Sequence, residues 1–144
     1  MSKTKKRTDF GFNFVQPNEK TNLVREVFDN VSSKYDLMND LLSFGLHRFW
    51  KQELINLLSP QSHQNLADIA GGTGDIAKKF IENGGGKADI IDININMIKY
   101  GIKKDYNSKI RYIVGNCERL PIASNTYDRV SIGFGLRNIT YRQE

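Results

Sequence analysis

The chain has 144 residues, of which 39% are hydrophobic and 26% charged, and its formal net charge is +5. The length suits one domain with a buried core, no apolar run is long enough to cross a bilayer, and the first residues lack the apolar core of a secretory signal. Because Cys117 is the single cysteine, an internal disulfide and a cysteine-based metal cluster are excluded. We expect a cytoplasmic protein without a metal site.

The positive charge is concentrated at the start of the chain. Residues 1–25 carry six basic and two acidic side chains, while the remainder is nearly neutral. We predict a flexible basic N-terminus over residues 1–20, which is either a solvated end or a segment attracted to an anionic membrane surface at its inner face. No stretch resembles a base-reading module, so we expect no nucleic-acid partner.

Apolar residues at helical spacing predict three helices before the first strand. They cover residues 21–31, 33–42 and 46–58, and the last is followed by Ser59 and Pro60, which favour a helix end. The domain that we assign to residues 21–144 therefore begins with a helical extension.

Strands and helices alternate in the rest of the chain. The apolar run at residues 88–93 is interrupted only by Asp89 and Asp92 and does not alternate, which indicates a strand buried on both faces, as in a parallel sheet. This order is typical of an α/β fold with a doubly wound sheet. The first predicted strand ends at Asp68, and the next three cover residues 88–93, 110–114 and 127–133. The predicted helices between them cover residues 75–83 and a segment from Asn94 or Asn96 to Ile102.

A glycine turn follows the first of these strands, and it has two interpretations. Gly72, Gly74 and Ala77 satisfy the dinucleotide pattern G-x-G-x-x-G/A, with Asp92 at the distance expected for a ribose-binding acid. Asp68, however, places an acid at the strand tip, where it would repel a pyrophosphate and suit a cationic ligand. S-adenosylmethionine, which has a sulfonium and no phosphate, is the favoured ligand, and a nucleotide-binding oxidoreductase is the alternative.

Four strand ends carry candidate ligand-binding residues. Asp68 and Asp92 end two strands, and the carboxylate of Asp92 can accept from both ribose hydroxyls. The amide of Asn116 and the backbone N–H of Cys117 could contact an adenine edge, and Gly133 leaves room for a ligand. Each acid or amide taken alone could equally serve a turn or a helix cap, but their coincidence at one edge of the sheet favours a binding site.

Two residues are candidates for the reaction itself. His47 is either catalytic or a histidine at the edge of the core, near a helix start. Arg137, which follows the last predicted strand, either faces the pocket or forms a structural ion pair.

The run from Tyr35 to Trp50 reads YDLMNDLLSFGLHRFW. It resembles the first signature of the ubiquinone/menaquinone biosynthesis C-methyltransferases at every fixed position of that signature. Later stretches are similar to further motifs of that family in order and spacing, namely residues 68–75, 92–94, 116–121 and 134–138.

The resemblance implies a Rossmann-like fold, S-adenosylmethionine as methyl donor and a lipophilic polyprenyl benzoquinol or naphthoquinol as acceptor. By matching position, Thr73, Asp92, Asn116 and Cys117 would contact the cofactor, beside Gly72 and Gly74 of the turn. The family places a small hydroxyl residue where this chain has Gly133. Arg137 would stabilise the quinolate electrostatically, and His47 is its rival.

The family fold continues beyond the position of Glu144. From this we expect a truncated or split-gene product with the first four strands only, whose missing C-terminal half is a possible separate chain. Such a product should bind the cofactor weakly and transfer no methyl group alone. A non-catalytic interaction fragment of a split methyltransferase is the remaining interpretation.

Overall fold

The computed structural model of the chain describes residues 8–10, 13–15, 19–20, 22–23, 26, 46–104, 107–133 and 135. Three described residues of the predicted first helix, 22, 23 and 26, have helical backbone, and so do Glu19 and Lys20, which precede its predicted start at residue 21. The predicted helix over residues 33–42 lies outside the described residues.

A parallel sheet of four strands forms the centre of the fold. Its strands are β3 (Asn65–Ile69), β4 (Lys87–Asp92), β5 (Ile110–Val114) and β6 (Arg129–Ser131), arranged in the order β5-β4-β3-β6. The chain runs outward from β3 to β5 and then crosses back to place β6 on the other side of β3. The carboxyl ends of β3 and β6 therefore flank the point where strand order reverses, which is where open α/β sheets bind ligands.

Three helices accompany the sheet, α1 (Leu46–Leu58), α2 (Asp75–Glu82) and α3 (Ile95–Lys104). The bounds of α1 agree with the prediction, and those of α2 differ from it by one residue. The α/β class and the four-stranded parallel sheet predicted from the sequence are confirmed.

Apolar side chains cover both faces of the sheet. On one face, α1 and α2 pack against the strands through a cluster that contains the fully buried Phe80, and burial of one such side chain stabilises the fold by about 1.5–3 kcal/mol. The opposite face is covered by the segment between β5 and β6. The first cluster comprises Ile55, Leu58, Leu66, Ile76, Ala77, Phe80, Ala88 and Ile90, and the second comprises Ala67, Ile69 and Ile91, with Ile113, Cys117, Ile122, Tyr127 and Ile132 packed against it.

The last strand is shorter than predicted at both ends, and ladder pairing with β3 covers Arg129 to Ser131. The two residues before it contact the sheet through other bonds. The Tyr127 hydroxyl donates a hydrogen bond to the Asp89 carboxylate of β4. The Asp128 carboxylate accepts from the backbone N–H of Asn65 at 2.8 Å, and the Asp128 N–H donates to the Asn65 carbonyl at 3.0 Å.

An antiparallel strand pair lies in the segment predicted as a flexible basic start. β1 (Thr8–Phe10) pairs with β2 (Asn13–Val15), and Phe10 lies opposite Asn13. Part of this segment thus has strand structure, and the flexibility of residues 1–20 stays a prediction. The sequence signal was the alternation of Phe10, Phe12 and Phe14, since aromatic residues at period two favour strands.

Candidate functional site

The turn between β3 and α2 has an unusual backbone conformation. Ala70, Gly72 and Gly74 have φ angles of 52°, 59° and 92°, in the left-handed region that favours glycine. A hydrogen bond of 2.9 Å from the Gly74 N–H to the Gly71 carbonyl closes the turn. Holding the non-glycine Ala70 in this region costs on the order of 1–3 kcal/mol, and such strain concentrates at functional sites.

The carboxyl group of Asp68 lies buried beneath this turn. Its side chain is 0% exposed, and its Oδ1 accepts a hydrogen bond of 2.7 Å from the Ser131 hydroxyl on β6. Its Oδ2 has no hydrogen-bond partner within the described part of the chain. Burial raises the pKa of Asp68 to about 7, the hydrogen bond from Ser131 opposes this rise, and the charges of Asp92 and Asp75 add to it.

Asp92, at the tip of β4, is hydrogen-bonded directly to the glycine turn. Its Oδ2 accepts from the Gly72 N–H and its Oδ1 from the Asn94 N–H, both at 2.8 Å. Burial raises the pKa of Asp92, and the backbone hydrogen bonds oppose this rise. Each carboxylate oxygen has a second lone pair, so acceptor capacity remains for a ligand's hydroxyls.

Asn94 caps the next helix, because its Oδ1 accepts from the backbone N–H groups of Asn96 and Met97 at 2.9 and 3.1 Å. Of the two residues predicted to begin this helix, Asn94 and Asn96, Asn94 is therefore the cap. The tip of β4, the glycine turn and the start of α3 form one connected unit through Asp92 and Asn94.

Thr73 is buried in the turn, at 7% exposure. Its hydroxyl donates to Asp75 Oδ1 at 3.5 Å, and its carbonyl accepts from the Tyr112 hydroxyl of β5 at 3.2 Å. Neither Tyr112 nor Ser131 was predicted as a site residue. A tyrosine in an apolar strand is usually interpreted as a core residue, and the signal for Ser131 was a small polar residue inside a predicted strand.

Asn116 and Cys117 follow β5. Asn116 is exposed, and its Oδ1 accepts from the Glu118 N–H at 2.9 Å, which gives it a turn role. Cys117 is half-buried against the cluster that contains Ala67 and Ile91. Burial, followed by the Glu118 charge, raises the pKa of the thiol, which agrees with a packing role for this side chain.

Gly133 follows β6 and is not required there by its backbone conformation. Its φ lies outside the left-handed region, and a Cβ at this position would lie 3.4 Å from Ile76 Cγ1, an ordinary contact. A serine side chain therefore fits where the resembled family has a small hydroxyl residue.

His47 lies in a different depression, a cleft of about 290 Å³ between α1, α2 and the end of α3. Ion pairs connect its walls: Asp75 lies 2.6 Å from the Lys51 ammonium and 3.9 Å from that of Lys104. Asp68, Asp92, Asn116 and Gly133 are not among the described residues that line it, and Arg137 lies outside the described residues. The lining is formed by His47, Arg48, Lys51, Asp75, Lys78, Lys79, Glu82 and Lys104.

The structure thus connects five predicted residues at the carboxyl ends of β3 and β4, namely Asp68, Gly72, Thr73, Gly74 and Asp92. Asn116 and Cys117 lie beyond the neighbouring β5, which is joined to β4 by a hydrogen bond of 2.9 Å from the Gly115 N–H to the Asp92 carbonyl. Within the described ranges, no group of three or more His, Cys, Asp or Glu side chains could hold a metal ion. Among the same residues, no helix has both the length and the apolar composition that a membrane crossing requires.

The chain is similar to one protein family over most of its length. The sequence profile of the ubiE/COQ5 methyltransferase family matches residues 15–144. The ubiquinone/menaquinone biosynthesis C-methyltransferase UbiE of Acidiphilium cryptum is 46% identical over 136 residues, which cover 92% of this chain and 55% of that protein. The UbiE of Francisella tularensis subsp. novicida is 45% identical and covers 100% of this chain and 60% of that protein. The chain therefore spans somewhat more than half the length of these curated relatives.

Solved structures share the fold at low sequence identity. A chain of the Haloferax volcanii complex that contains the Trm112 methyltransferase activator superimposes with a TM-score of 0.62 at 16% identity, over 73% of this chain and 46% of that chain. A methyltransferase of Thiobacillus denitrificans, solved with S-adenosyl-L-homocysteine, gives a TM-score of 0.50 at 13% identity, over 57% of this chain and 34% of that chain. These likenesses support the Rossmann-like methyltransferase fold.

Proposed function

Because the chain belongs to the ubiE/COQ5 methyltransferase family, we propose that it binds S-adenosylmethionine at the glycine turn and serves the C-methylation of a polyprenyl benzoquinol or naphthoquinol. The observation that carries the proposal is the pair of acids around the turn. Asp92 is bonded to the turn through Gly72, and Asp68 lies beneath it with one oxygen unpartnered in the described part of the chain.

The residues present fit the chemistry of this cofactor. The remaining lone pairs of Asp92 suit two vicinal ribose hydroxyls. Asp68 is fully buried, so we assign it an electrostatic role. In its ionised form its negative charge favours a sulfonium or ammonium above the turn, and such a cation would in turn favour ionisation of this carboxyl group, whose pKa is raised to about 7. Asn116 and Cys117 are proposed to contact the adenine, and Thr73 is proposed to contribute through its backbone because its hydroxyl is turned toward Asp75.

The charge of ionised Asp68 argues against a dinucleotide. This acid lies beneath the glycine turn that a pyrophosphate would have to approach, and like charges at close range repel each other. Asp92 does not discriminate between the two ligands, because the dinucleotide pattern also expects a ribose-binding acid at its position. A nucleotide-binding oxidoreductase therefore has no observation in its favour beyond the glycine pattern itself.

S-adenosylmethionine supplies an electrophilic methyl group when it is bound. The acceptor's ring carbon becomes a better nucleophile when a neighbouring hydroxyl, with a reference pKa of about 10, loses its proton. We propose that Arg137 stabilises the resulting quinolate by its positive charge. A guanidinium does not readily lose its own proton, so it is poorly suited to accept the proton of the hydroxyl as a base. His47 is the alternative group for this step, and it lines the cleft beside Lys51 and Asp75.

A lipophilic acceptor also requires access to a membrane. We propose peripheral contact with an anionic membrane surface at the inner face, supported by the basic residues Lys3, Lys5, Lys6, Arg7 and Arg25; the sixth basic residue of this segment, Lys20, is buried and is not counted. Each basic residue near such a surface contributes about 1 kcal/mol.

Calorimetric titration of the chain with S-adenosylmethionine tests the cofactor proposal. In Asp92→Ala, the dissociation constant should rise by about tenfold to a hundredfold, since hydrogen bonds to a charged acceptor are lost. Asp128→Ala is a matched control, because it removes a carboxylate that also accepts a backbone N–H but lies at the opposite end of the sheet. Equal affinity in the wild type and Asp92→Ala would contradict the proposed site.

A further inference from the structure

We propose that Tyr112 is a positioning residue for the cofactor, whose hydroxyl fixes the glycine turn by holding the Thr73 carbonyl. The inference rests on the proposed function, because it concerns the same turn. It assigns to β5 a part in the site that no motif of the sequence indicates.

Tyr112 fills a gap that two glycines leave open. Its hydroxyl donates to the Thr73 carbonyl at 3.2 Å, and a Cβ on Gly74 would lie 3.0 Å from that hydroxyl. A Cβ on Gly101 of α3 would lie 2.9 Å from Tyr112 Cε1 and 2.5 Å from the Thr73 carbonyl oxygen. A side chain at position 74 or 101 would therefore crowd the tyrosine where it contacts the turn.

The turn is held at two consecutive residues from two neighbouring strands. Asp92 of β4 accepts the Gly72 N–H at 2.8 Å, and Tyr112 of β5 donates to the carbonyl of Thr73. One strand thus anchors a donor of the turn and the other an acceptor. Glycine can adopt both positive and negative φ, so the sequence of this turn allows many backbone conformations. The two anchors favour the one in which Gly72 and Gly74 have positive φ.

A fixed turn matters for binding because a ligand that must order its site binds more weakly. Removing the anchor of Thr73 would let the backbone N–H and carbonyl groups of the turn sample other directions, and cofactor binding would then have to restore the bound one. Tyr112→Phe isolates this effect, since it keeps the ring that packs with the first core cluster and removes only the hydroxyl.

Tyr127→Phe is the matched control. It also removes one phenolic hydroxyl that donates to a strand residue, Asp89, but its ring packs against the cluster on the opposite face of the sheet. Both variants lose one hydrogen bond, and only one of them loses a contact with the glycine turn.

The experiment combines calorimetry with hydrogen exchange on the 144-residue chain. With S-adenosylmethionine as probe, Tyr112→Phe should raise the dissociation constant about three- to tenfold, and Tyr127→Phe should stay within about twofold of the wild type. In the free protein, amide exchange at residues 71–75 should accelerate in Tyr112→Phe and remain unchanged in Tyr127→Phe.

The outcomes distinguish the positioning role of Tyr112 from the proposed function. If the wild-type chain binds the probe and Tyr112→Phe binds it equally well, the positioning role is overturned while the proposed function stands. Equal weakening by both variants would also overturn it, because a general loss of stability would then explain the effect. If the wild type does not bind, the proposed function fails, and unchanged exchange at residues 71–75 in Tyr112→Phe would separately refute the anchor.

Discussion

The Oδ2 atom of Asp68 lies 2.7 Å from the position that a Cβ on Gly71 would occupy. The turn can therefore rest on the carboxyl group only because residue 71 is glycine. Any side chain there would have to displace either the buried acid or the backbone of the turn, so the glycine-rich sequence and the acid before it form one structural unit.

The stability of the protein should depend on the protonation of Asp68. Burial raises its pKa from 3.8 to about 7, so between these values the folded state retains a proton that the unfolded state releases. The free energy of unfolding contributed by this group therefore falls as the pH rises from about 4 to about 7, by on the order of 2–4 kcal/mol.

Asp68→Asn tests this dependence, because asparagine keeps an acceptor for Ser131 and does not titrate. Relative to the wild type, the variant should become more stable as the pH rises through the same window, whatever its constant offset. Urea unfolding at several pH values measures the difference, and a difference that is independent of pH would refute a raised pKa at this position.

Gly101→Ala should destabilise the protein although alanine favours helices by about 1 kcal/mol over glycine. The added Cβ would lie 2.5 Å from the Thr73 carbonyl oxygen, so α3 or the turn must move. We expect a net loss of about 1–3 kcal/mol in thermal or urea unfolding. A variant as stable as the wild type would show that α3 packs less tightly on the turn than the structure indicates.

Lys51→Met should weaken the contact between α1 and the start of α2 and so destabilise the protein. Its ammonium lies 2.6 Å from Asp75 Oδ2, and the lysine side chain is only 11% exposed. Loss of this charged hydrogen bond should cost about 1.5–3 kcal/mol of unfolding free energy. Lys78→Met provides the comparison, because its pair with Glu82 is exposed and 3.9 Å long, and its removal should change stability by about 0.5 kcal/mol or less.

Gly133→Ser should be tolerated, since its Cβ would make an ordinary contact of 3.4 Å with Ile76. We expect a change in unfolding free energy of about 0.5 kcal/mol or less and an affinity for S-adenosylmethionine at least equal to that of the wild type. A loss of stability of several kcal/mol would show that the end of β6 is packed more closely than described.

The parts of the fold that the sequence predicted are those set by local pattern. The bounds of α1 follow from an apolar stripe bounded by Ser59 and Pro60, and the glycine turn follows from three glycines after an acid. The bonds of Tyr127 to Asp89 and of Asp128 to Asn65 could not be predicted, because these partners lie far away in sequence. The role of Tyr112 at the site could not be predicted for the same reason, since its partner Thr73 is brought close to it only by the order of the strands in the sheet.

Ser131 has a consequence for how β6 finds its place. This strand has three residues, and few ladder bonds distinguish the observed pairing from one shifted by a single residue. A shift would turn Val130 or Ile132 toward the Asp68 carboxyl and leave that buried group without its one hydroxyl donor. The hydrogen bond from Ser131 to Asp68 therefore favours the observed register of β6, and pairing that is shifted by one residue would be less stable during folding.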